Sequence, residues 1–222
     1  MGHVLDVRHV TKTYRKNGRV IHAADGLSLC ADEGDLVVLH GPSGSGKSTL
    51  LMMIGGMLPP DDGTVVYEDD DVYRWSPSRR NRYRKRTVGF VFQRFFLIPY
   101  LTVLDNIRIP LALQGRGSED ADAIEAVARQ LRIENRLNHK PAELSVGEQQ
   151  RAAIARGLVG GKKIILADEP TGNLDAQNAR IVAECLKNVA ENGRIVLMAT
   201  HNESLLELGT RRLHLNNGRI AQ

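Results

Sequence analysis

The residues best placed to do chemistry are Gly41, Pro42, Ser43, Gly44, Ser45, Gly46, Lys47 and Ser48, which fit the pattern G-x-x-x-x-G-K-[ST] at every fixed position. Glycines at 41, 44 and 46 let the backbone wrap tightly, so several N–H groups can converge on phosphate oxygens. Lys47 adds a fixed positive charge, the Ser48 hydroxyl can ligate Mg²⁺, and Thr49 follows in the first turn of a helix whose positive end faces the same anion. A Gly/Ser-rich surface turn would meet this pattern only by chance, so the run implies a nucleoside triphosphate site. A second candidate is Asp168–Glu169, two carboxylates closing the apolar run 164–167. Charges at the end of a buried strand are costly unless something uses them. A polar strand-to-loop transition is the bland alternative; beside a phosphate loop, Asp168 as a Mg²⁺ ligand and Glu169 as the base for an attacking water is the better reading. A third is Ser145 with Glu148, a capping box at a helix start that is also an anion-binding terminus, with Gly147 beside it.

These residues need strands and helices to hold them. Residues 36–39 read as a buried strand entering the phosphate loop and 48–54 as the helix leaving it. Before them, 4–10 reads as a strand ending near Tyr14, and 21–30 as a second one. After the break at Pro59, Pro60 and Gly63, 64–67 forms a short strand, with the acidic run 68–71 as a solvated turn. Strands follow at 87–92, 162–167 and 194–200. Helices are expected at 102–113, capped by Thr102 with Asp105 closing a capping box, and at 118–131, 145–158 and 175–190. Asn216-Asn217-Gly218 between 211–215 and 219–221 signals a hairpin. The order is strands, phosphate loop, a mostly helical middle, then βαβ.

The charge balance excludes little by itself: the net charge is +4, with 42% hydrophobic and 25% charged residues, as in an ordinary soluble domain. Basic residues cluster between Arg74 and Arg86, interleaved with Trp75 and Tyr83. Nucleic acid or anionic lipid could use such a cluster; a solvated helix face is the simpler reading, and no nucleic acid is expected. The two cysteines, Cys30 and Cys185, suit a reducing compartment. The start at Met1 and Gly2 has no apolar signal core, and no apolar run is long enough to span a bilayer. A membrane role would therefore need another chain as anchor.

The phosphate loop, Leu144-Ser145-Val146-Gly147-Glu148-Gln149-Gln150-Arg151 and Leu166-Ala167-Asp168-Glu169-Pro170-Thr171, in this order, resemble the ATP-binding cassette (ABC) ATPases over nearly the whole chain. The resemblance implies an α/β P-loop NTPase fold: a RecA-like core with an antiparallel β subdomain and an inserted α-helical subdomain. It gives a single nucleotide-binding domain over 1–222, with the core at about 1–93 and 160–222 and the helical subdomain at about 94–159. It implies ATP and Mg²⁺ as cofactors. By position, Tyr14 would stack on adenine, Gln93 would touch Mg²⁺ and the water, Asp175 would lie in the loop before a helix it can also cap, and His201 would reach the γ-phosphate. Ser145, Gly147 and Glu148 would meet the nucleotide held by a second copy, because the family works as a head-to-tail pair. Many members have glycine where this chain has Val146; a β-branched residue implies that this position is either not left-handed or slightly re-shaped.

The runs 89–99, 101–107 and 166–175 look most like the lipoprotein-releasing, macrolide-export and cell-division-associated subgroup. That subgroup implies an ATPase at the cytoplasmic face of the membrane, peripheral, driving a transmembrane permease that transmits motion. The short run after Leu215 leaves no room for the regulatory C-terminal domain of sugar-importer subunits. A cassette regulating a non-transport partner, such as a cell-wall or division complex, would use the same parts. A nucleic-acid-associated ABC ATPase is disfavoured, since the stretch between Lys47 and Ser145 shows no sustained heptads.

Overall fold

A computed structural model describes residues 3–16, 18–116 and 121–221. The start of the expected 118–131 helix and the terminal Met1 and Gly2 lie outside the described residues. Two sheets organise the chain. The first is antiparallel, in the order β2-β1-β4-β5, from β1 (Leu5–Lys16), β2 (Arg19–Ala31), β4 (Asp62–Tyr67) and β5 (Asp70–Asp71). The second has the order β10-β9-β3-β8-β7-β6. Its parallel part runs through β9 (Arg211–Asn216), β3 (Leu36–His40), β8 (Ile195–Thr200), β7 (Ile164–Asp168) and β6 (Val88–Val91), with β10 (Arg219–Ala221) pairing antiparallel to β9.

The parallel strands are near-continuous Val/Ile/Leu runs because both faces of the sheet are covered. Alternation divides each strand between two cores. Val37 and Leu39 of β3 pack with Leu50, Leu51 and Ile54 of α1 (Lys47–Ile54) and with antiparallel-sheet residues such as Val7 and Leu29. Leu36 and Val38 face the other way, toward Val182 and Leu186 of α6 (Ala176–Glu191). Between β6 and β7 the chain forms α3 (Val103–Leu113), α4 (Ala121–Gln130) and α5 (Val146–Leu158), which bury Ile107, Ile124 and Ile154 against that second core. The basic cluster lies on and just before α2 (Pro77–Arg86).

Two local expectations change. The acidic run is not wholly a solvated turn: Glu68 and Asp69 make a left-handed turn (φ 47° and 67°), and Asp70 and Asp71 pair with Tyr67 and Val66. The hairpin continues because such a turn returns the chain in register. At α3, Thr102 Oγ1 accepts from the Asp105 N–H and donates its own proton to the Asp105 carboxylate at 2.7 Å. That replaces the reciprocal backbone bond of a capping box, which favours the longer Glu side chain.

Candidate functional site

Four parallel strands deliver the chemistry to one sheet edge. The phosphate loop follows β3, Glu169 follows β7, His201 follows β8 and Gln93 lies just beyond β6. Ligands of open α/β sheets sit outside the carboxyl ends of the strands, and here a cavity of about 670 Å³ lies there. The loop 43–49 lines it, with Ala23, Gln93, Glu169 and His201.

The loop's shape demands glycine at two points. Gly46 has φ 104°, and a Cβ there would lie 1.9 Å from the Ala23 carbonyl oxygen. Gly41 has φ 146°, and a Cβ there would fall 2.0 Å from the Leu215 carbonyl oxygen. β2 and the β9–β10 hairpin therefore press the loop from outside, and the Gly218 N–H donates to Ser45 O at 3.1 Å. Gly46 also starts α1, whose first turn has no side-chain cap. Its N–H groups and dipole remain available to an anion. The Lys47 ammonium is buried and donates to Gly41 O at 2.8 Å and Pro42 O at 3.0 Å, which holds it along the loop.

Ser48 Oγ donates to Asp168 Oδ1 at 2.9 Å, joining the helix to the strand end. Burial raises the Asp168 pKa from its ordinary value and Glu169 adds to the rise, while the Ser48 hydrogen bond opposes it. A bound cation would relieve that cost. The Ser48 hydroxyl, the Asp168 carboxylate and the Gln93 amide offer only oxygen to a metal, and this fits Mg²⁺, which takes few protein ligands beside phosphate. Glu169 sits at φ 49°, an uncommon backbone for a non-glycine residue, and its N–H donates to Ala199 O at 2.9 Å. The bend turns its carboxylate toward His201, whose Nδ1 lies 2.8 Å from Glu169 Oε2 and whose N–H donates to the same oxygen at 3.3 Å. The carboxylate is mostly buried and the imidazole is exposed. A base held by an orienting imidazole beside a phosphate cradle can take a proton from water attacking a phosphoryl group.

Ser145 is the N-cap of α5. Its Oγ accepts from the Glu148 N–H, and Glu148 Oε2 accepts from Ser145 N–H at 2.9 Å and from Ser145 Oγ at 2.8 Å. Arg136 donates to the other Glu148 oxygen at 2.6 Å. This contact first, and the Ser145 N–H second, hold the Glu148 carboxyl down at about 2. Val146 begins α5 with an exposed side chain and is absent from the left-handed residues, as its β-branch requires. Gly147 is buried, and a Cβ there would press on the Asn178 amide, which Arg151 also contacts. Asn178 in turn donates to Asp175, the N-cap of α6.

The structure thus gathers Ser43, Gly44, Ser45, Gly46, Lys47, Ser48, Thr49, Gln93, Glu169 and His201 in one cavity, with Asp168 attached through Ser48. Gly41 and Pro42 serve it through carbonyls that hold Lys47. Tyr14 does not line it: it is an exposed residue of β1 opposite Ile21. Ser145, Gly147, Glu148 and Asp175 do not line it either. Sequence reasoning missed Ala23, whose part is a carbonyl and leaves no side-chain signal. It also missed His40 and His214, which stack with ring centroids 4.7 Å apart on neighbouring strands beside the loop.

Comparison with known proteins fits this geometry. The family model described as ABC transporter matches residues 24–172. An ABC transporter ATP-binding protein of Methanocaldococcus jannaschii, MJ0796, is 38% identical over 98% of this chain and 95% of its own. A lipoprotein-releasing system ATP-binding protein, LolD, of Geobacter metallireducens is 40% identical over 99% of both chains. The dimeric structure of the MJ0796 cassette superposes with a TM-score of 0.92 at 37% identity, covering 98% of this chain and 97% of that one. A dimeric post-hydrolysis state of MJ0796 bound to ADP and Pi gives a TM-score of 0.91 at 36% identity. The chain belongs to the ABC transporter family, as an ATP-binding and ATP-hydrolysing subunit.

Proposed function

We propose that two copies of this chain bind ATP head to tail and use its hydrolysis to drive a separate transmembrane permease of the lipoprotein-releasing type. One observation carries the reading: a phosphate loop and an oriented base line one cavity, with Asp168 bonded to the loop's Ser48, while the Ser145 helix start and its exposed Val146 stay outside that lining. A second copy supplies the missing wall. In this arrangement the phosphate loop and Lys47 grip the β- and γ-phosphates, and Ser145 and Gly147 of the partner copy close over the γ-phosphate. Ser48, Asp168 and Gln93 would hold Mg²⁺, which would supply positive charge to the transferred phosphoryl group. Glu169 accepts the proton of the attacking water, with His201 keeping the carboxylate aimed. Tyr14 serves as the adenine platform, and Asp175 lies at the pair interface.

The permease site is the groove of about 440 Å³ beside Gln93, floored by Phe90, Phe92, Phe96, Ile98 and Leu113 and edged by Arg84 and Lys85. Among the described residues no helix is long and apolar enough to cross a membrane. In the proposed complex the subunit sits peripherally at the cytoplasmic face, held through that groove. The LolD relatives support the lipoprotein-releasing subgroup. A nucleic-acid role is disfavoured by α2: Tyr83 is buried, and Arg79 is engaged by Asp70 and by the Trp75 ring. A cassette that regulates a non-transport partner would keep the same site, and the membrane protein that co-purifies with the chain separates the two. Replacing Glu169→Gln should lower steady-state ATP hydrolysis by about 10²–10⁴-fold while ATP-bound pairs accumulate. Unchanged hydrolysis would reject Glu169 as the base.

A further inference from the structure

The segment from Gln93 to α3 has no regular structure, yet two polar side chains hold it, the half-buried Arg156 and the buried Asn106. Phe96 has φ 48°, a conformation that an aromatic residue keeps only when its surroundings impose it. Arg156, near the end of α5, imposes it: Nη2 donates to Phe95 O at 2.7 Å and Nη1 to Phe96 O at 2.5 Å. One planar guanidinium thus grips the carbonyls of the strained residue and of its predecessor, and its fork fixes direction as well as distance. Further along, Asn106 is wholly buried in α3. It accepts from the Ile98 N–H at 2.7 Å and donates to Ile98 O at 3.1 Å and Thr102 O at 2.9 Å. Neither Arg156 nor Asn106 lines the nucleotide cavity, whereas Gln93, at the start of this segment, does. The helix that carries Arg156 near its C-terminal end has Ser145 as its N-cap.

We propose that Arg156 is a positioning residue for ATP hydrolysis: it locks the turn after Gln93 so that Gln93 faces the cavity, and it fastens that turn to the helix bearing Ser145. Asn106 secures the far end of the same segment. The proposal rests on the roles given above to Gln93 and Ser145. Motion at the groove, which Phe96 and Ile98 line, then reaches both Gln93 and the Ser145 helix through one side chain.

Steady-state ATP hydrolysis by the full chain tests it, with kcat and KM for ATP measured separately for wild type, Arg156→Gln, Arg156→Lys and Gln93→Ala. Displacing a group that orients the reactants costs rate more than binding, so Arg156→Gln should lose about tenfold in kcat with KM within about twofold. Arg156→Lys should fall between that variant and wild type, because an ammonium reaches the carbonyls without the fork. A slow Gln93→Ala beside a wild-type Arg156→Gln overturns the positioning role alone. Wild-type kcat in both overturns the role of Gln93 as well. Should Arg156→Gln not fold, Arg156→Lys decides: lowered kcat at constant KM supports the proposal, and a wild-type kcat overturns it.

Discussion

Two helix starts, Gly46 at α1 and Ser145 at α5, are built in opposite ways. α1 begins on a left-handed glycine with no side-chain cap, and its loop is wrapped into a concave cavity by carbonyls from β2 and β9. α5 begins on a serine whose hydroxyl and N–H are both bonded to Glu148, with Arg136 behind and an exposed valine in front. The first leaves its backbone donors for a ligand that it surrounds. The second uses a side-chain cap to become a rigid, outward-facing edge. One is a site within the chain; in the proposed pair the other is half of a site, completed by the nucleotide of a second copy.

The sharpest way to break this contrast is to fill the first helix start. Gly46→Ala places a methyl against the Ala23 carbonyl in a backbone that disfavours it, so ATP binding measured by calorimetry should weaken by at least about 2–3 kcal/mol. The matching change at the second start, Val146→Asp, should leave ATP binding to the single chain intact. It should weaken ATP-dependent pairing in sedimentation by about 2 kcal/mol or more, because it sets a carboxylate against the partner's phosphates. Equal effects of both changes on binding would erase the distinction. A smaller effect is expected for Ser145→Ala, which removes the cap: the thermal midpoint should drop by the equivalent of about 1 kcal/mol.

The smallest effect is one of pH. Glu148 titrates at about 2 in the fold against an ordinary 4.5, so on acidification the unfolded chain takes up this proton first. The stabilisation is complete above about pH 4.5 and drains away as pH falls toward about 2. The thermal midpoint should therefore fall less steeply over that window in Glu148→Gln than in wild type.

The phosphate loop, the Asp168–Glu169 strand end and the capped Ser145 helix were legible in sequence because each is a local device, with residue types and spacing set by one turn or one strand. The buried strands of the parallel sheet are likewise legible as apolar runs, whereas their division between two cores is not, since every position in such a run is apolar. Not legible were features made by distant chain segments. Ala23 shapes the loop through a backbone oxygen, and Arg156 holds Phe95 and Phe96 across many intervening residues. The left-handed bend at Glu169 and the continued hairpin at Asp70 are also backbone properties that their side chains do not announce.

In the proposed pair, ATP is shared between the Gly46 helix of one copy and the Ser145 helix of the other. Sedimentation of Glu169→Gln with saturating ATP and Mg²⁺, alone and combined with Gly147→Gln, tests this most directly. Glu169→Gln should form a pair that falls back to single chains, with ATP still bound, when Gly147 is also changed. Single chains in both cases at full ATP occupancy, or pairs indifferent to Gly147, would contradict it.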